Sequence, residues 1–367
     1  MRKVNVGVVG CGNISGIYFQ NLTHVFKNTN VYSCCDIREQ AAKDAAEKWG
    51  IPHIQTLDEM LECEDVEVIL NITTPESHYD VCKKALLAGK HVYVEKPLSL
   101  TFDEGSELVK ISQEKGLLLG CAPDTFLGAG MQTCRKLIDN DFIGEIVGAV
   151  AFMMCHGHES WHPSPEFYYK RGGGPMFDMG PYYLAALVNL MGSVREVMGM
   201  TTKAVEERII TSQPLYGKAI EVEVDTHVAG LLRFENGAVA TIITSFDVWN
   251  STLPRIEIYG TKGTLIAPDP NTFGGPVLLA TRDGGIFREI PLTHIYAENS
   301  RGIGLSDMAQ CIIEEIDDNK ASGRMANHVL EIMCAIDESQ KSGKSYIMKS
   351  RVDRPQALGS NLVKGFV

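Results

Sequence analysis

The residues with the clearest chemical potential in this sequence are Glu95-Lys96-Pro97, which directly follow the apolar run His91-Val92-Tyr93-Val94. Such a run predicts a buried parallel strand, and open α/β sheets bind ligands at the carboxyl ends of their strands. A lysine in that position is costly to desolvate unless it has a partner or a function. We therefore predict that Lys96 binds a substrate oxygen. Taken alone, these residues would be better explained as an ordinary strand-end turn, and the flanking motifs change that balance.

A glycine turn, Gly10-Cys11-Gly12-Asn13-Ile14, follows the first apolar run, Val4–Val9, and precedes a helical pattern. Glycines in this context let a dinucleotide pyrophosphate approach the backbone, and the helix N-terminus adds amide donors. Ser15 occupies the place of the usual third glycine and is small enough for close packing. We expect the cofactor to contact Gly10, Gly12, Asn13 and Ile14.

Asp36 ends the second predicted strand, where a carboxylate binds the ribose hydroxyls of NAD and repels a 2′-phosphate. Arg38 follows two positions later and leaves NADP open, because an arginine can accommodate that phosphate. The pattern favours NAD. Further cofactor contacts are expected at two other strand ends, from Thr73, Thr74, Pro75 and His78 and from Glu95 and Lys96. For His78, a packing role is an equal alternative.

Alternating strand and helix patterns predict the fold of the first part of the chain, a parallel sheet covered on both faces. After residue 123 the pattern changes to strand-like runs joined by hairpin signals such as Glu235-Asn236-Gly237, which favour a mostly antiparallel sheet. The predicted organisation is a Rossmann domain at 1–123 and a second α/β domain with an open sheet at 124–367.

These motifs together resemble the glucose–fructose oxidoreductase/inositol dehydrogenase family (Gfo/Idh/MocA). The resemblance extends from the glycine turn through Thr74-Pro75-x-x-His78 and Glu95-Lys96-Pro97 to Gly172-Gly173-Gly174 and Asp178. It implies oligomerisation through the open sheet, as a homodimer or homotetramer. Most members carry histidine four residues after the aspartate, whereas this chain has Tyr182, and some members are similar in using tyrosine there.

The family's chemistry is hydride transfer, which needs a nicotinamide, an oriented hydroxyl and a base. Our mechanistic hypothesis makes Tyr182 the base, Lys96 its electrostatic partner and Asp178 the orienting carboxylate, with Lys96 itself as the alternative base. A nearby ammonium would favour the tyrosinate. Asp178 and Pro181 are also expected to start a helix over Pro181–Met191.

The segment from Cys155 to Pro163 contains His156, His158 and His162 beside Glu159 and Trp161. These types are compatible with zinc, but a strand end and a proline-rich loop need not make them converge, so we predict no metal. Trp161 and His162 are instead expected to bind a sugar, with a packed aromatic loop as the alternative. Asp124 is expected to face the nicotinamide end and to bind substrate.

The predicted function is NAD(P)-dependent oxidation or reduction of a sugar, glycoside or related polyhydroxy compound. Two alternatives stay open: a redox-neutral glycosidase or lyase acting through a 3-keto sugar, and a nucleotide-sensing regulator without catalysis. A formal net charge of −12 disfavours nucleic acid and anionic membranes as partners. No apolar run is long enough to span a membrane, and ten cysteines without CxxC pairs fit a reducing cytoplasm.

Overall fold

The structure, a computed structural model, describes residues 2–282, 284–317 and 319–367. Its strands are β1 Val4–Val9, β2 Thr29–Cys35, β3 His53–Ile54, β4 Val68–Asn71, β5 His91–Val94, β6 Leu119–Cys121, β7 Ile146–Met154, β8 Val194–Thr202, β9 Glu207–Ile209, β10 Ala219–Glu221, β11 His227–Phe234, β12 Val239–Ser245, β13 Ile256–Gly260, β14 Gly263–Ala267, β15 Val277–Thr281, β16 Arg288–Ile290 and β17 Tyr346–Ile347. Its α-helices are α1 Ser15–Gln20, α2 Glu39–Trp49, α3 Leu57–Glu62, α4 Pro75–Leu87, α5 Phe102–Lys115, α6 Ala129–Asp139, α7 Gly174–Met191, α8 Ile303–Glu314 and α9 Gly323–Ser342.

The first sheet is parallel, with strand order β3-β2-β1-β4-β5-β6. Its central strands are apolar and buried on both faces, as expected for strands covered by helices on either side. The strand order reverses between β1 and β4, and this switch point opens a crevice at the carboxyl ends of the strands. The predicted Rossmann architecture is confirmed.

The second sheet has the order β16-β15-β14-β13-β7-β12-β11-β8-β17. Its neighbouring strands pair antiparallel except β7 and β12, which run parallel. Helix α9 packs on β8, and α7 packs on β7, β11 and β12. The helices therefore cover one face of this sheet, which confirms the predicted α/β class with a mostly antiparallel sheet.

The segment before α9 ties the two sheets together. Cys121 N donates a hydrogen bond to the Ala321 carbonyl at 3.0 Å, and Gly120 forms a β-bridge with Ser322. Helix α9 also packs against α5. These contacts fix the carboxyl end of the first sheet against α7 and α9 of the second region. The boundary between residues 123 and 124 stays a prediction.

Helix α7 differs from the sequence prediction because it begins at Gly174 rather than at Pro181. Gly174 has φ +80°, a conformation that glycine adopts without strain, and Pro175 follows in the first turn, where its missing amide costs nothing. Pro181 was expected to mark a helix start but lies inside the helix. Asp178 is therefore not a helix cap.

Two other predicted elements are shorter than expected. The apolar pattern over Val222–Phe234 predicts one continuous strand, but residues 222–226 are not part of a strand and β11 begins only at His227. The helical pattern after the glycine turn predicts one helix over Ile14–Phe26, but the structure has α1 followed by a π-helical turn, Asn21–Val25. In both cases the apolar pattern continues where the backbone hydrogen bonding changes, because the spacing of apolar residues reports which side chains are buried and not which backbone groups are bonded.

Candidate active site

Lys96 and Asp178 meet where the two sheets face each other. Lys96 follows β5, and its Nζ donates to the Asp178 backbone carbonyl at 2.6 Å and to the Asp178 carboxylate at 2.9 Å. Their side chains are only 17% and 16% exposed. An ammonium has three N–H donors, and the contacts of the described residues account for two of them. The third has no hydrogen-bond acceptor among the described residues.

The first turns of α7 present two acceptors of Asp178 to the lysine. Pro181 has no amide hydrogen for the Phe177 carbonyl, and helices bend at such positions. The affected turn contains Asp178, which offers both its carbonyl and its carboxylate to Lys96. Pro181, which the sequence analysis took as the start of a helix, therefore lies inside α7.

His158 is the second partner of Asp178. The loop after β7 places its Nε2 3.1 Å from the Asp178 carboxylate, and the imidazole is 10% exposed. Rings of Tyr168, Phe246 and Trp161 surround it, with centroids at 4.0, 4.7 and 5.2 Å. The carboxylate of Asp178 is thus held between a cation on one side and an imidazole donor on the other.

Burial and charge shift the pKa values of Asp178 and Lys96 in opposite directions, and the effect of charge is the larger one. Burial raises the pKa of the Asp178 carboxyl, but the Lys96 charge and the His158 hydrogen bond outweigh it and bring that pKa to about 2. Burial lowers the pKa of Lys96, whereas Asp178, Tyr182 and Glu95 raise it well above its ordinary value. At neutral pH the pair is a carboxylate and an ammonium.

Tyr182 lies beside Lys96, whose Nζ is 5.5 Å from the centre of the phenol ring. Arg301, which the sequence did not single out, interacts with the Tyr182 hydroxyl from the other side. Burial raises the pKa of Tyr182 above its ordinary value although both cations lower it. The phenol is therefore protonated at neutral pH, and the tyrosinate that our hypothesis expected from the Lys96 charge does not form in this state.

The backbone of the glycine turn leaves space for a ligand. Gly10 has φ +104°, and a Cβ there would lie 2.8 Å from the Ile72 carbonyl oxygen, so the fold itself requires glycine. A Cβ on Gly12 would meet nothing within 4 Å, which leaves open space for a ligand against the backbone. Asn13 and Ile14 are exposed beside it. These residues fit a dinucleotide pyrophosphate.

Asp36 stands at the edge of this turn. Its carboxylate accepts hydrogen bonds from Cys11 N and Arg38 N, both at 2.8 Å, and from the Arg38 guanidinium at 3.3 Å. Burial raises the pKa of Asp36, but these bonds hold it below its ordinary value. Arg38 is 68% exposed. A carboxylate fixed this way fits the ribose hydroxyls of NAD.

Of the other predicted cofactor contacts, Thr74 is exposed at the start of α4, with Pro75 in the first turn. The Thr73 hydroxyl donates to the Asn71 side chain at 2.7 Å. His78 is 1% exposed, and its ring nitrogens face the carbonyls of Pro97 and Thr73. His78 therefore fits the packing alternative, because its ring connects the loop at Thr73 to the loop at Pro97.

Glu95 also lies beneath the site. It is 9% exposed and accepts hydrogen bonds from the Tyr18 hydroxyl at 2.7 Å and from Lys96 N at 3.0 Å. A carboxylate with these partners supports the lysine backbone. The structure therefore gives Glu95 a bracing position rather than an open face toward the cofactor.

Asp124 does not join the Lys96 group as the sequence led us to expect. Its carboxylate is 1% exposed and accepts hydrogen bonds from Gly302 N at 2.8 Å and Gly304 N at 3.0 Å, at the start of α8. Burial raises the pKa of Asp124 to about 6. Because its Oδ2 accepts from two amides at a helix N-terminus, Asp124 has a structural role in this state, and we do not include it in the proposed site.

The predicted sugar-binding residues lie on the loop that carries His158. Trp161 is 62% exposed, and its ring centre is 5.4 Å from that of His162. His162 Nδ1 accepts a hydrogen bond from Ser164 N at 3.0 Å. Phe167 and Tyr168 continue the aromatic surface, with ring centres 4.0 Å apart.

The three loop histidines have different partners. His156 stacks on Trp249 at 3.4 Å, His158 bonds Asp178 and His162 bonds its own loop. Within the described ranges, no group of three or more His, Cys, Asp or Glu side chains is arranged to hold a metal ion. In the same ranges, no helix is long and apolar enough to cross a membrane.

Sequence reasoning missed three neighbours of the reactive pair. His158 was noted only as a candidate metal ligand, and its distance along the chain from Asp178 gave no sign of contact. Tyr168 lies in the aromatic segment Phe167-Tyr168-Tyr169, whose pattern is equally typical of a packed loop. Arg301 precedes α8 in a stretch without periodicity, and no sequence signal distinguishes it.

Comparison with known proteins agrees with this geometry. Residues 4–122 match the family described as "Oxidoreductase family, NAD-binding Rossmann fold", and residues 131–266 match the "GFO/IDH/MocA C-terminal domain". The chain belongs to the Gfo/Idh/MocA oxidoreductase family. It thus contains an NAD-binding Rossmann domain and is an oxidoreductase.

Two curated relatives show how far the likeness reaches. The chain is 27% identical over 271 residues to myo-inositol 2-dehydrogenase of Thermotoga maritima, covering 72% of this chain and 75% of the relative. It is 26% identical over 242 residues to D-xylose dehydrogenase of Paenarthrobacter nicotinovorans, covering 63% of this chain and 60% of the relative.

Solved structures support the fold. A levoglucosan dehydrogenase in complex with NADH and L-sorbose aligns with a TM-score of 0.80 at 22% identity, over 97% of this chain and 100% of that chain. An NAD-binding oxidoreductase from Klebsiella pneumoniae aligns with a TM-score of 0.82 at 20% identity, over 95% of this chain and 100% of that chain.

Proposed function

We propose that this protein is an NAD-dependent dehydrogenase that transfers a hydride between the nicotinamide and a hydroxyl or ketone of a sugar, glycoside or related polyhydroxy compound. The observation that carries the proposal is Lys96, a buried ammonium with one free N–H at the carboxyl edge of a dinucleotide-binding sheet. The cofactor supplies the hydride acceptor when it is bound.

Lys96 holds the oxygen at which charge develops. Its bonds to Asp178 fix the direction of the remaining N–H, so that donor is already oriented before substrate arrives. A preorganised cation at a developing alkoxide stabilises it more than water would. Lys96 stays charged because Asp178 raises its pKa, so it acts as the electrostatic partner rather than as the base.

Tyr182 is the proton acceptor in this proposal. In the oxidation direction the substrate O–H breaks, its proton moves to the Tyr182 oxygen, and the hydride leaves from the same carbon. Lys96 and Arg301 stabilise the tyrosinate that must form first. Because burial keeps the pKa of Tyr182 above its ordinary value, oxidation should be favoured at alkaline pH and carbonyl reduction at neutral pH.

The substrate class follows from the surface beside the reactive pair. Trp161 offers an exposed ring face, and sugars present apolar C–H faces that pack on such rings. His162 adds a polar partner on the same loop. The xylose, inositol and levoglucosan dehydrogenases named above act on compounds of this class, which supports the proposal.

For the cofactor we propose NAD over NADP. The Asp36 carboxylate is ionised and fixed by Cys11 N and Arg38. A 2′-phosphate would meet this charge at close range, whereas ribose hydroxyls can donate to it. Arg38 is already engaged with Asp36, which reduces its capacity to bind a phosphate.

The test is a reduction assay with NAD and with NADP against a panel of free sugars, glycosides and inositols. We expect stoichiometric NADH to accumulate with at least one member. Loss of substrate without accumulation of NADH would instead favour the redox-neutral glycosidase or lyase. Tight NAD binding without turnover of any member would favour the regulator.

We also propose that the protein forms a homo-oligomer through the open face of the second sheet. Met198, Leu231, Thr241 and Val150 lie side by side in register on that face, next to Met200, which is 77% exposed. The exposed members of this row, Met198, Met200 and Leu231, are apolar, and exposed apolar surface of this kind supports an interface. Light scattering should show a dimer or tetramer, and Leu231→Lys should dissociate it.

A further inference from the structure

His158 holds a position that neither packing nor a metal explains. Its Nε2 lies 3.1 Å from the Asp178 carboxylate, and its Nδ1 is buried without a partner among the described residues. A buried acceptor without a donor is unfavourable, and an apolar residue among Tyr168, Phe246 and Trp161 would avoid that penalty. The imidazole therefore contributes through Nε2.

The protonation pattern follows from the partner. Asp178 is ionised and can only accept, so Nε2 carries the hydrogen and donates it. Asp178 then has one carboxylate oxygen bonded to Lys96 and the other to His158. With both oxygens held, the carboxylate cannot rotate away from the lysine.

The loop that carries His158 is itself clamped by Arg208. This guanidinium, 5% exposed, donates to the Glu159 carboxylate at 2.5 Å and to the Phe246 carbonyl at 2.9 Å, and it also pairs with Asp247. Glu159 is the next residue after His158, and Phe246 packs on its ring. Arg208 therefore fixes two of the surfaces that hold the imidazole.

We propose that His158 is a positioning residue for hydride transfer, which locks the Asp178 carboxylate so that it aligns Lys96 toward the substrate oxygen. This inference rests on the proposed function. Arg208 supports His158 indirectly, because it connects the loop that carries His158 to the residue that follows β12. The reacting proton does not pass through His158, whose free nitrogen is enclosed.

Matched variants test this role. His158→Gln retains an amide donor near the Nε2 position, whereas His158→Asn carries the same group too short to reach Asp178, and His158→Leu has none. We expect kcat to fall about 10- to 100-fold in His158→Asn and His158→Leu, as is typical when a donor to a charged group is lost. KM for NAD should change less than about twofold, and His158→Gln should recover most of kcat.

A double-mutant cycle separates positioning from folding. In an Asp178→Asn background, His158→Leu should cost little further activity, because its effect passes through Asp178. In the single variant, the acid limb of kcat/KM should move to higher pH, since Asp178 loses one of the contacts that lower its pKa. Equal losses in His158→Gln and His158→Asn, or additive losses in the cycle, would overturn the proposal.

A readout without turnover keeps this test independent of the substrate. ¹⁵N NMR of the histidine rings should show His158, assigned with His158→Gln, as the Nε2–H tautomer with a slowly exchanging proton. Asp178→Asn should accelerate that exchange. If the proton is protected but no sugar is oxidised, the proposed function fails while the His158–Asp178 bond stands. A rapidly exchanging proton in the wild type contradicts the bond itself.

Discussion

Replacing Lys96 with methionine is the sharpest test of the site, because it removes the charged group and keeps most of the unbranched side chain. The variant loses the free N–H at the substrate oxygen, and loss of one preorganised donor of this kind costs about 10²–10³ in kcat. It also leaves Asp178 buried without its cation. We expect kcat to fall by about 10³ or more.

The same change has a predictable effect on stability. The pKa of Asp178, about 2 against an ordinary value of 3.8, corresponds to a net stabilisation of the charged form by on the order of 2 kcal/mol, with Lys96 and His158 outweighing burial. Lys96 is the largest favourable contributor, so Lys96→Met should lower the free energy of unfolding by roughly 2 kcal/mol. Adding Asp178→Asn removes the uncompensated charge and should restore stability without restoring activity.

The assay combines steady-state kinetics on an identified sugar with NAD binding by calorimetry and unfolding in urea. NAD affinity should survive in Lys96→Met within about threefold, because the glycine turn and Asp36 are distant parts of the crevice. A variant that folds, binds NAD and turns over at more than a tenth of the wild-type rate would refute the assignment of Lys96.

Three further predictions follow from the charged groups. Because the pKa of Tyr182 is raised, log(kcat/KM) for oxidation should climb from pH 7 to 10, and Tyr182→Phe should abolish this climb; a plateau from pH 7 in the wild type contradicts the role. Asp36→Asn should raise the NADP/NAD ratio of kcat/KM about tenfold, since one repulsive charge is lost, and an unchanged ratio would show that Asp36 does not select the cofactor. The folded-state pKa of Asp124, about 6, lies above its ordinary 3.8, so the folded state binds the proton more tightly and the free energy of unfolding falls as pH rises from about 4 to 6. Asp124→Asn lacks this proton, so its free energy of unfolding relative to that of the wild type should rise by on the order of 3 kcal/mol across that pH window. Urea unfolding at several pH values measures this difference, and parallel pH curves for the two proteins would contradict the shift.

The sequence by itself predicted the fold class, the glycine turn for the cofactor and the position of Lys96 at a strand end. These are local signals: alternating strands and helices specify a parallel sheet, Gly10 is required by its own backbone angle, and Lys96 lies at the end of a strand whose apolar residues are contiguous. Asp36 was also predictable, because its place is set by the length of a single βαβ unit.

Only the tertiary structure decided which groups surround Lys96. Asp178 reaches it because α7 starts earlier than Pro181 suggested, and His158 and Arg301 reach Asp178 and Tyr182 from segments distant in the chain. Asp124, equally well placed in sequence, was drawn instead to the amides at the start of α8. Contacts between elements depend on how the helices pack against the two sheets, and the spacing of residues along the chain does not specify that packing.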